Sequence, residues 1–375
     1  MPAFGTLGNI EQLLEQLELI GVPTDATKTS GMNAKMIENL IEASLKASFF
    51  NTAIRTNRTY LTDDKSITKT NYELFCRAAM KLVAKREAST LPKQVTFFVS
   101  NYDICMDVAL DRARIPTNSG YIGRFNPVVD LSDFGRRVTT STLTLGYQSE
   151  IASANLVKVH GCASWKKKGG GIEFSNEFDL IEEIERNIDN LRQTAQQDNP
   201  TQDPGAQGGL LSLNSNTFND LVEQATTRVH KFDSDSVKKL LNSFNKLQIV
   251  WPTKQKFHDT VLDEIYYAQL RRLTNQLEVR NSVLIVAGFS FADEHIRKLI
   301  LRAADTNPTL KVIILCYDEN SKKQIRQNLM KESTVDSTPL ANHNITTVTT
   351  TTKTCGIQGN LDLKTIAKLL EEVTK

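Results

Sequence analysis

Short apolar runs alternate with amphipathic helical stretches along most of the chain. The clearest pair lies between residues 281 and 302, where the apolar run 283–287 (VLIVA) precedes a helical pattern with Ile296, Leu299 and Ile300 on one face. A short run that is apolar at every position is typical of a strand buried on both sides in a parallel sheet. Apolar residues at helical spacing predict a helix that packs on such a sheet.

The same alternation predicts further strands and helices on both sides of this pair. Strands are predicted at 95–99, 155–159, 311–315 and 344–350, and helices at 10–20, 33–50, 70–87, 104–114, 261–278 and 361–373. Residues 116–134 are predicted as a loop, and the stretch 166–171, rich in lysine and glycine, as a solvated turn. Strands that alternate with helices favour an α/β fold with a doubly wound, mostly parallel, Rossmann-like sheet.

Residues 169–246 interrupt this alternation. They contain an amphipathic helical pattern with three glutamates, Glu182, Glu183 and Glu185, opposite its apolar face, and the stretch 196–216 is rich in Gln, Asn, Gly and Ser. The composition of 196–216 predicts a flexible loop. We therefore predict one Rossmann-like domain, formed by 1–168 and 247–375, with a helical insertion at 169–246. Its acidic face is either a solvated surface or a contact used in assembly.

Composition and charge narrow the function classes. The chain has 375 residues, of which 40% are hydrophobic and 23% charged, as in ordinary soluble globular proteins. A net charge of +2 provides no broad basic field for nucleic acid. We expect a cytoplasmic protein that spans no membrane, because there is no apolar run of membrane-spanning length and the first residues do not resemble a signal peptide. The five cysteines include no Cys-x-x-Cys pair, so we expect neither a zinc site nor a disulfide framework.

Polar residues follow several of the predicted strands. Parallel strands deliver such residues to one edge of the sheet, where open α/β sheets bind ligands. The candidates are Asn101 and Asp103 after 95–99, His160 after 155–159, Gly288 and Ser290 after 283–287, and Tyr317 after 311–315. The sequence contains no GxGxxG, Walker lysine or HExxH motif, which disfavours the usual dehydrogenase, ATPase and zinc-hydrolase interpretations.

Each of these residues also has a purely structural interpretation. His160 has an imidazole suited to proton transfer near neutral pH, but it could equally close its strand through a hydrogen bond. Asn101 could orient a water or a ribose hydroxyl, or simply form a turn. Asp103 could fix Asn101, although capping the helix that follows is the better interpretation. The Gly-Phe-Ser turn at 288–290 could be an ordinary strand-to-helix connection.

Four motifs together resemble a known family. They are Ser100-Asn101-Tyr102-Asp103, the stretch 159–165 (VHGCASW), the stretch 251–254 (WPTK) and the stretch 288–296 (GFSFADEHI). In order and spacing they are similar to the bacterial sirtuin-like domains of anti-phage defence systems, which are divergent relatives of the NAD-dependent deacetylases. The resemblance covers most of the chain outside the insertion, and the stretch 288–296 is its most specific part.

The resemblance implies roles for particular residues. It assigns Asn101 and His160 as the catalytic pair, and it assigns NAD binding to the turn that contains Gly288 and Ser290. We extend the expected dinucleotide-binding set to neighbouring polar and aromatic residues at the same strand ends. These are Asp103, Phe289, Asp293 and Tyr317.

The implied function is an NAD hydrolase that cleaves the nicotinamide–ribose bond, with NAD as its substrate and no zinc. The alternatives are a regulatory subunit that binds NAD or ADP-ribose and, least favoured, an NAD-dependent protein deacylase, because the four-cysteine zinc module of deacetylating sirtuins is missing. The resemblance also implies a homo-oligomer with a HerA-type ring ATPase as partner, through which any nucleic acid would be contacted. The family opens with a strand and a Gly-Ala-Gly-x-Ser loop. Here only residues 4–8 (FGTLG) correspond to this loop. Either the chain is truncated at its start, or this branch of the family binds NAD with a reduced loop.

Overall fold

The computed structural model describes most of the chain. The described residues are 10, 12–14, 16–17, 34–63, 65–86, 91–141, 146, 148–169, 171–175, 177–196, 210–211, 217–251, 264–330, 344–350 and 359–374. Three predicted features lie wholly or mostly outside these ranges: the glycine turn at 4–8, the loop at 196–216, and the motif at 251–254 after its first residue. Residues 10, 12–14 and 16–17 are helical, in agreement with the prediction for 10–20.

Helices account for much of the described chain. They are α1 (Ala34–Ala53), α2 (Thr56–Thr62), α3 (Ile67–Ala84), α4 (Cys105–Arg112), α5 (Asp179–Gln196), α6 (Phe218–Arg228), α7 (Ser234–Lys246), α8 (Glu264–Glu278), α9 (Glu294–Thr306), α10 (Glu319–Met330) and α11 (Leu363–Val373). Several begin at a side chain that accepts a hydrogen bond from the first turn, namely Thr217 for α6, Asp233 for α7, Asp293 for α9 and Asp362 for α11. Their starting points are therefore determined locally by the sequence.

Two three-stranded parallel sheets form the centre of the fold. The first has the order β1 (Gln94–Val99), β7 (Ser153–Lys158) and β2 (Thr117–Asn118), and the second has the order β11 (Val283–Ala287), β12 (Lys311–Leu315) and β13 (Ile345–Val348). Every residue of β7 is buried, as expected for a parallel strand that is covered on both faces. The mixed α/β class is confirmed. One continuous doubly wound sheet stays a prediction, since the two sheets are separate among the described residues.

A five-stranded antiparallel sheet accompanies the parallel ones. Its order is β10 (Leu247–Ile249), β8 (Gly161–Lys168), β9 (Gly171–Phe174), β4 (Val128–Val129) and β3 (Tyr121–Ile122), and a separate ladder joins β5 (Thr139–Ser141) to β6 (Gln148–Glu150). The chain passes from β7 to β8 at Gly161, which has φ +82°, and a Cβ there would lie 2.3 Å from the Gln248 carbonyl oxygen. Only glycine fits this connection.

The predicted insertion forms part of the largest hydrophobic core. Ile181, Ile184 and Ile188 of α5 are buried in the same cluster as residues of α1. The acidic face of α5 is paired within the chain: Glu182 lies 3.0 Å from Arg58, and Glu185 lies 3.1 Å from Arg55. Glu183 lies 2.9 Å from Lys246. These contacts support the structural interpretation of the acidic face as a surface packed on its own domain.

Three local predictions need correction. Residues 166–168 are not in a turn but complete strand β8, because they pair with β9, and the turn follows at Gly169. The predicted loop at 116–134 contains three strands of two residues each, which are too short to give a period-2 signal: β2 pairs with β7, β3 pairs with β4, and β4 also pairs with β9. Helix α10 was not predicted, because its residues are mostly polar and only a few, such as Leu329, are buried.

Candidate functional site

A cavity of about 220 Å³ separates the two parallel sheets. Residues 96–101, from β1 and the turn after it, line one wall, and residues 284–289, from β11 and its turn, line the other. Four predicted site residues, Asn101, Asp103, Gly288 and Phe289, contribute to this lining. The cavity therefore brings together residues that the sequence places almost 190 positions apart.

Asn101 and Asp103 occupy one side of the cavity mouth. Asn101 is exposed in the bend that follows β1. The Asp103 side chain accepts a hydrogen bond from the Cys105 backbone N–H at 2.9 Å, at the start of α4. The contact is an Asx turn on the first N–H of α4, and the N-cap residue of that helix is Ile104, which has no side-chain cap hydrogen bond. The exposed amide of Asn101 is in a position to meet a ligand in the cavity.

His160 lies buried behind this mouth and joins the two sheets. Its Nδ1 is 3.1 Å from the Ser100 carbonyl oxygen, and its Nε2 is 3.3 Å from Oδ2 of Asp293. A carbonyl oxygen only accepts, so Nδ1 carries a hydrogen. An attractive contact between Nε2 and the carboxylate needs a second hydrogen. It lies either on Nε2, which gives an imidazolium facing a carboxylate, or on Asp293, which gives a neutral imidazole facing a carboxylic acid. Both ring nitrogens are thus engaged, as in the structural interpretation of His160.

The second half of this contact belongs to helix α9. Oδ1 of Asp293 accepts hydrogen bonds from the backbone N–H groups of His295 and Ile296, both at 3.1 Å. One carboxylate therefore caps α9 and faces His160, which follows β7. The contact also shows that the carboxyl ends of β1, β7 and β11 lie at one edge, because Ser100 and Asp293 follow β1 and β11 respectively.

The turn between β11 and α9 has an unusual backbone. Gly288 has φ +70°, and a Cβ built there would have no described atom within 4 Å, so space is open in front of it. Phe291 is fully buried at φ +58°, a conformation that costs free energy for a residue with a side chain. The Arg297 side chain stabilises this turn by donating to the Phe291 carbonyl oxygen at 2.8 Å. The ring of Phe289 packs against that of Phe291 with centroids 5.0 Å apart.

Besides His160 and Asp293, two further predicted residues, Ser290 and Tyr317, lie outside the cavity lining. The Ser290 hydroxyl accepts a hydrogen bond from the Ala292 backbone N–H at 3.3 Å, which is a local turn contact. Tyr317, after β12, is half exposed, and its carbonyl oxygen accepts a hydrogen bond from the Leu361 backbone N–H. β12 lies one strand beyond β11, so Tyr317 follows a strand whose edges do not border the cavity.

Sequence reasoning missed a buried lysine beneath the mouth. Nζ of Lys158 lies 2.6 Å from Oδ2 of Asp107 and donates a hydrogen bond to the Asp103 carbonyl oxygen at 2.5 Å. Burial alone would lower the pKa of this ammonium group, but the neighbouring Asp107 carboxylate raises its pKa above the ordinary value. The signal was present in the sequence, since Lys158 is the only charged residue in the run 155–159.

Searches for a metal site and a membrane span gave negative results within the described ranges. No group of three or more His, Cys, Asp or Glu side chains there is arranged to hold a metal ion. Among the helices described, none is long and apolar enough to cross a membrane.

Two comparisons with known proteins, by family model and by sequence similarity, found no match. No protein-family model matches the chain. No curated protein matches it either. The resemblance to sirtuin-like domains accordingly rests on the sequence motifs alone.

Proposed function

We propose that this protein hydrolyses NAD at the nicotinamide–ribose bond and acts in bacterial anti-phage defence. The observation that supports the proposal is the shared cavity: Asn101, Asp103, Gly288 and Phe289 line it together, beside the contact between His160 and Asp293. We also propose that the two parallel sheets are the halves of one doubly wound sheet. The cavity then lies where the strand order reverses, which is where such sheets bind dinucleotides.

The charges around the mouth suggest how a dinucleotide would lie. Asp103, whose Oδ1 accepts from Cys105, is suited to accept a hydrogen bond from a ribose hydroxyl at its other oxygen, and the carboxylates of Asp103 and Asp293 would repel phosphates. The open space in front of Gly288 lets a ligand approach the backbone closely. The pyrophosphate is therefore expected near Gly288, and the nicotinamide ribose near Asn101 and His160.

Hydrolysis at this site needs an oriented water and an acceptor for its proton. The water oxygen forms a bond to C1′ of the ribose while the C1′–N bond breaks, and the bonding electrons leave with nicotinamide. The Asn101 amide is suited to orient that water. His160 can receive the proton only at an Nε2 that carries no hydrogen, so the proton shared with Asp293 must stay on the carboxyl group while Nε2 turns to water or a ribose hydroxyl.

A regulatory subunit that binds NAD or ADP-ribose is the second candidate. The observation that favours it is the engagement of both His160 nitrogens, by Ser100 and Asp293, which leaves no base ready in this conformation. The two candidates differ in turnover but share the ligand. A HerA-type ATPase partner and a homo-oligomer belong to this proposal as expectations from the resemblance.

Nicotinamide release, measured by chromatography, and calorimetric NAD binding together test both candidates. The wild-type protein is incubated with NAD, alone and with a HerA-type ATPase, beside the variants Asn101→Ala and Asn190→Ala. Asn190 is exposed on α5 and serves as a matched control. For a hydrolase we expect Asn101→Ala to slow release by about 10²–10⁴-fold while Asn190→Ala matches the wild type. Binding without release supports the regulatory candidate, and the absence of both binding and release contradicts both candidates.

A further inference from the structure

The turn that follows β1, residues 100–104, is tied to other parts of the fold at four of its five positions. Two of these anchors come from the chain between β7 and the first residues of β8. The Ser100 carbonyl oxygen lies 3.1 Å from Nδ1 of His160. The Tyr102 carbonyl oxygen accepts a hydrogen bond from the Ala163 backbone N–H at 2.8 Å. The turn is therefore held against the segment that leads from β7 into β8.

The other two anchors are side chains, and together the four leave one residue of the turn unengaged. Nζ of Lys158 donates to the Asp103 carbonyl oxygen at 2.5 Å, and the Ile104 backbone N–H donates to Oδ1 of Asn57 at 2.9 Å. The Asn101 side chain is exposed and makes no hydrogen bond to another residue within the described ranges. The anchors on both sides of Asn101 therefore fix the turn while its amide stays available to the cavity.

Lys158 is the unusual anchor, because it brings an ammonium group into the interior. Its side chain is buried, and the Asp107 carboxylate, 2.6 Å away, balances the charge. An apolar pair of similar volume is often as stable as a buried ion pair, or more stable. Global stability therefore does not explain why a charge stands here. Such exceptions to the usual composition of a protein interior are expected where function requires a fixed geometry.

An apolar residue at position 158 could not replace the hydrogen bond to the Asp103 carbonyl oxygen. The other side-chain donor near that oxygen in the described chain is the thiol of Cys162, whose Sγ lies 3.9 Å away, and a thiol is a weak donor. Without the ammonium group, Asp103 would lose its anchor. Asn101, two residues earlier, would then no longer be held in one position.

We propose that Lys158 is a positioning residue for the candidate site: by holding the Asp103 carbonyl oxygen, it fixes the turn in the conformation that presents the Asn101 amide to the cavity. Asp107 keeps the ammonium group in place. The inference rests on the proposed function, in which Asn101 orients the water that attacks C1′ of the ribose. Misplacing a group that orients a reactant by about 1 Å can cost about 10²-fold in rate. Lys158 therefore controls turnover without touching the substrate.

Amide hydrogen exchange tests the anchor without reference to NAD. The double variant Lys158→Met/Asp107→Leu removes the anchor and leaves no buried charge unpaired. We expect the amides of Ile104, in the turn, and Ala163, bonded to it, to exchange at least about tenfold faster in this variant than in the wild type. The Val312 amide, in the ladder between β12 and β13, is the internal reference and should be unchanged. Unchanged exchange at both turn amides overturns the proposal.

A mutant cycle tests whether the anchor serves catalysis through Asn101. Nicotinamide release is measured for the wild type, Asn101→Ala, the double variant and the triple variant that combines them. We expect the double variant to lower kcat by about 10²-fold with KM nearly unchanged, because orientation of the water acts in the transition state. In the double-variant background, Asn101→Ala should cost no more than about tenfold further, since its position is already lost. Independent effects that multiply in the triple variant contradict a role through Asn101 and overturn the proposal.

Leu240→Ala is the control for a general loss of stability. Leu240 is fully buried in α7 and lies outside the cavity lining. Its truncation should lower the thermal midpoint and leave kcat near the wild-type value at temperatures well below that midpoint. If the double variant is itself destabilised, its kcat is compared with that of Leu240→Ala. Equal kcat values in these two variants overturn the proposal.

The two measurements separate this inference from the proposed function. If the wild type releases no nicotinamide, hydrolysis is refuted, while faster exchange at Ile104 and Ala163 in the double variant still supports the anchor. If the wild type releases nicotinamide and the double variant keeps its kcat, hydrolysis stands and the positioning role of Lys158 is overturned.

Discussion

The buried pair of Lys158 and Asp107 provides the sharpest stability prediction. The Lys158 side chain is 1% exposed and lies 2.6 Å from the Asp107 carboxylate. Lys158→Met removes the ammonium group, fills most of its volume and leaves Asp107 buried beside an apolar chain. Loss of one partner of a buried pair costs about 3–5 kcal/mol, and we expect a decrease of that size in the free energy of unfolding.

The pH dependence of this variant follows from the Asp107 carboxyl group. Burial already raises the pKa of Asp107 above 3.8, while Lys158 opposes the increase, so the variant should raise that pKa further. A carboxyl group whose pKa is higher in the folded state than in the unfolded state stabilises the fold at pH values below its unfolded-state pKa. This contribution is lost as the pH rises through its folded-state pKa. The stability loss of Lys158→Met should therefore be smaller at about pH 5 than at about pH 8.

Urea unfolding followed by circular dichroism at both pH values measures the effect. Lys81→Met is the matched control, because Lys81 lies 2.5 Å from Glu371 but is 54% exposed, and exposed pairs contribute only about 0–1 kcal/mol. The double variant Lys158→Met/Asp107→Leu should recover most of the loss, since an apolar pair of similar volume removes the unpaired charge. A Lys158→Met loss as small as that of Lys81→Met, or one that the double variant does not recover, would refute this reasoning.

The remaining predictions concern single positions and are checked by thermal unfolding. Gly161→Ala should prevent stable folding, because its Cβ would meet the Gln248 carbonyl oxygen at 2.3 Å. Gly288→Ala has open space for its Cβ and should cost only the strain of a positive φ, about 1–2 kcal/mol. Equal losses at the two glycines would contradict this distinction. Asp293→Ala should cost about 0.5–2 kcal/mol through loss of the α9 cap, and Asp293→Asn, which retains a capping oxygen, should cost less. Equal losses for the two variants would show that the carboxylate contact with His160, which both remove, outweighs the cap.

Local signals were sufficient for the elements around the cavity. The run 283–287 is apolar throughout, and Asp293 is a residue type that caps helices, so β11 and the start of α9 could be predicted from neighbouring residues alone. The positions of Asn101 and His160 at strand ends followed in the same way. Helix α10 could not be found by this route, because its few buried residues provide little helical periodicity.

The roles of the site residues depended on contacts that no local pattern contains. Asp293 was expected to bind a dinucleotide, but its partner in the fold is His160, which is 133 positions away and lies in the turn that follows β7 of the other parallel sheet. Lys158 received no role from the sequence, because its partner Asp107 belongs to another element, helix α4. A buried charge is tolerated only with its partner, and the partner is determined by packing.

The sequence by itself determined the α/β class, the strands of the two parallel sheets except β2, most helices, and which polar residues stand at strand ends, because periodicity, capping and turn chemistry act over a few residues. Only the tertiary structure decided which strand ends meet. It placed Asn101 and Gly288 on one cavity, left Tyr317 outside it, and engaged both nitrogens of His160. The physical reason is that strand order and register are determined by long-range packing, which the local pattern of apolar and polar residues does not encode.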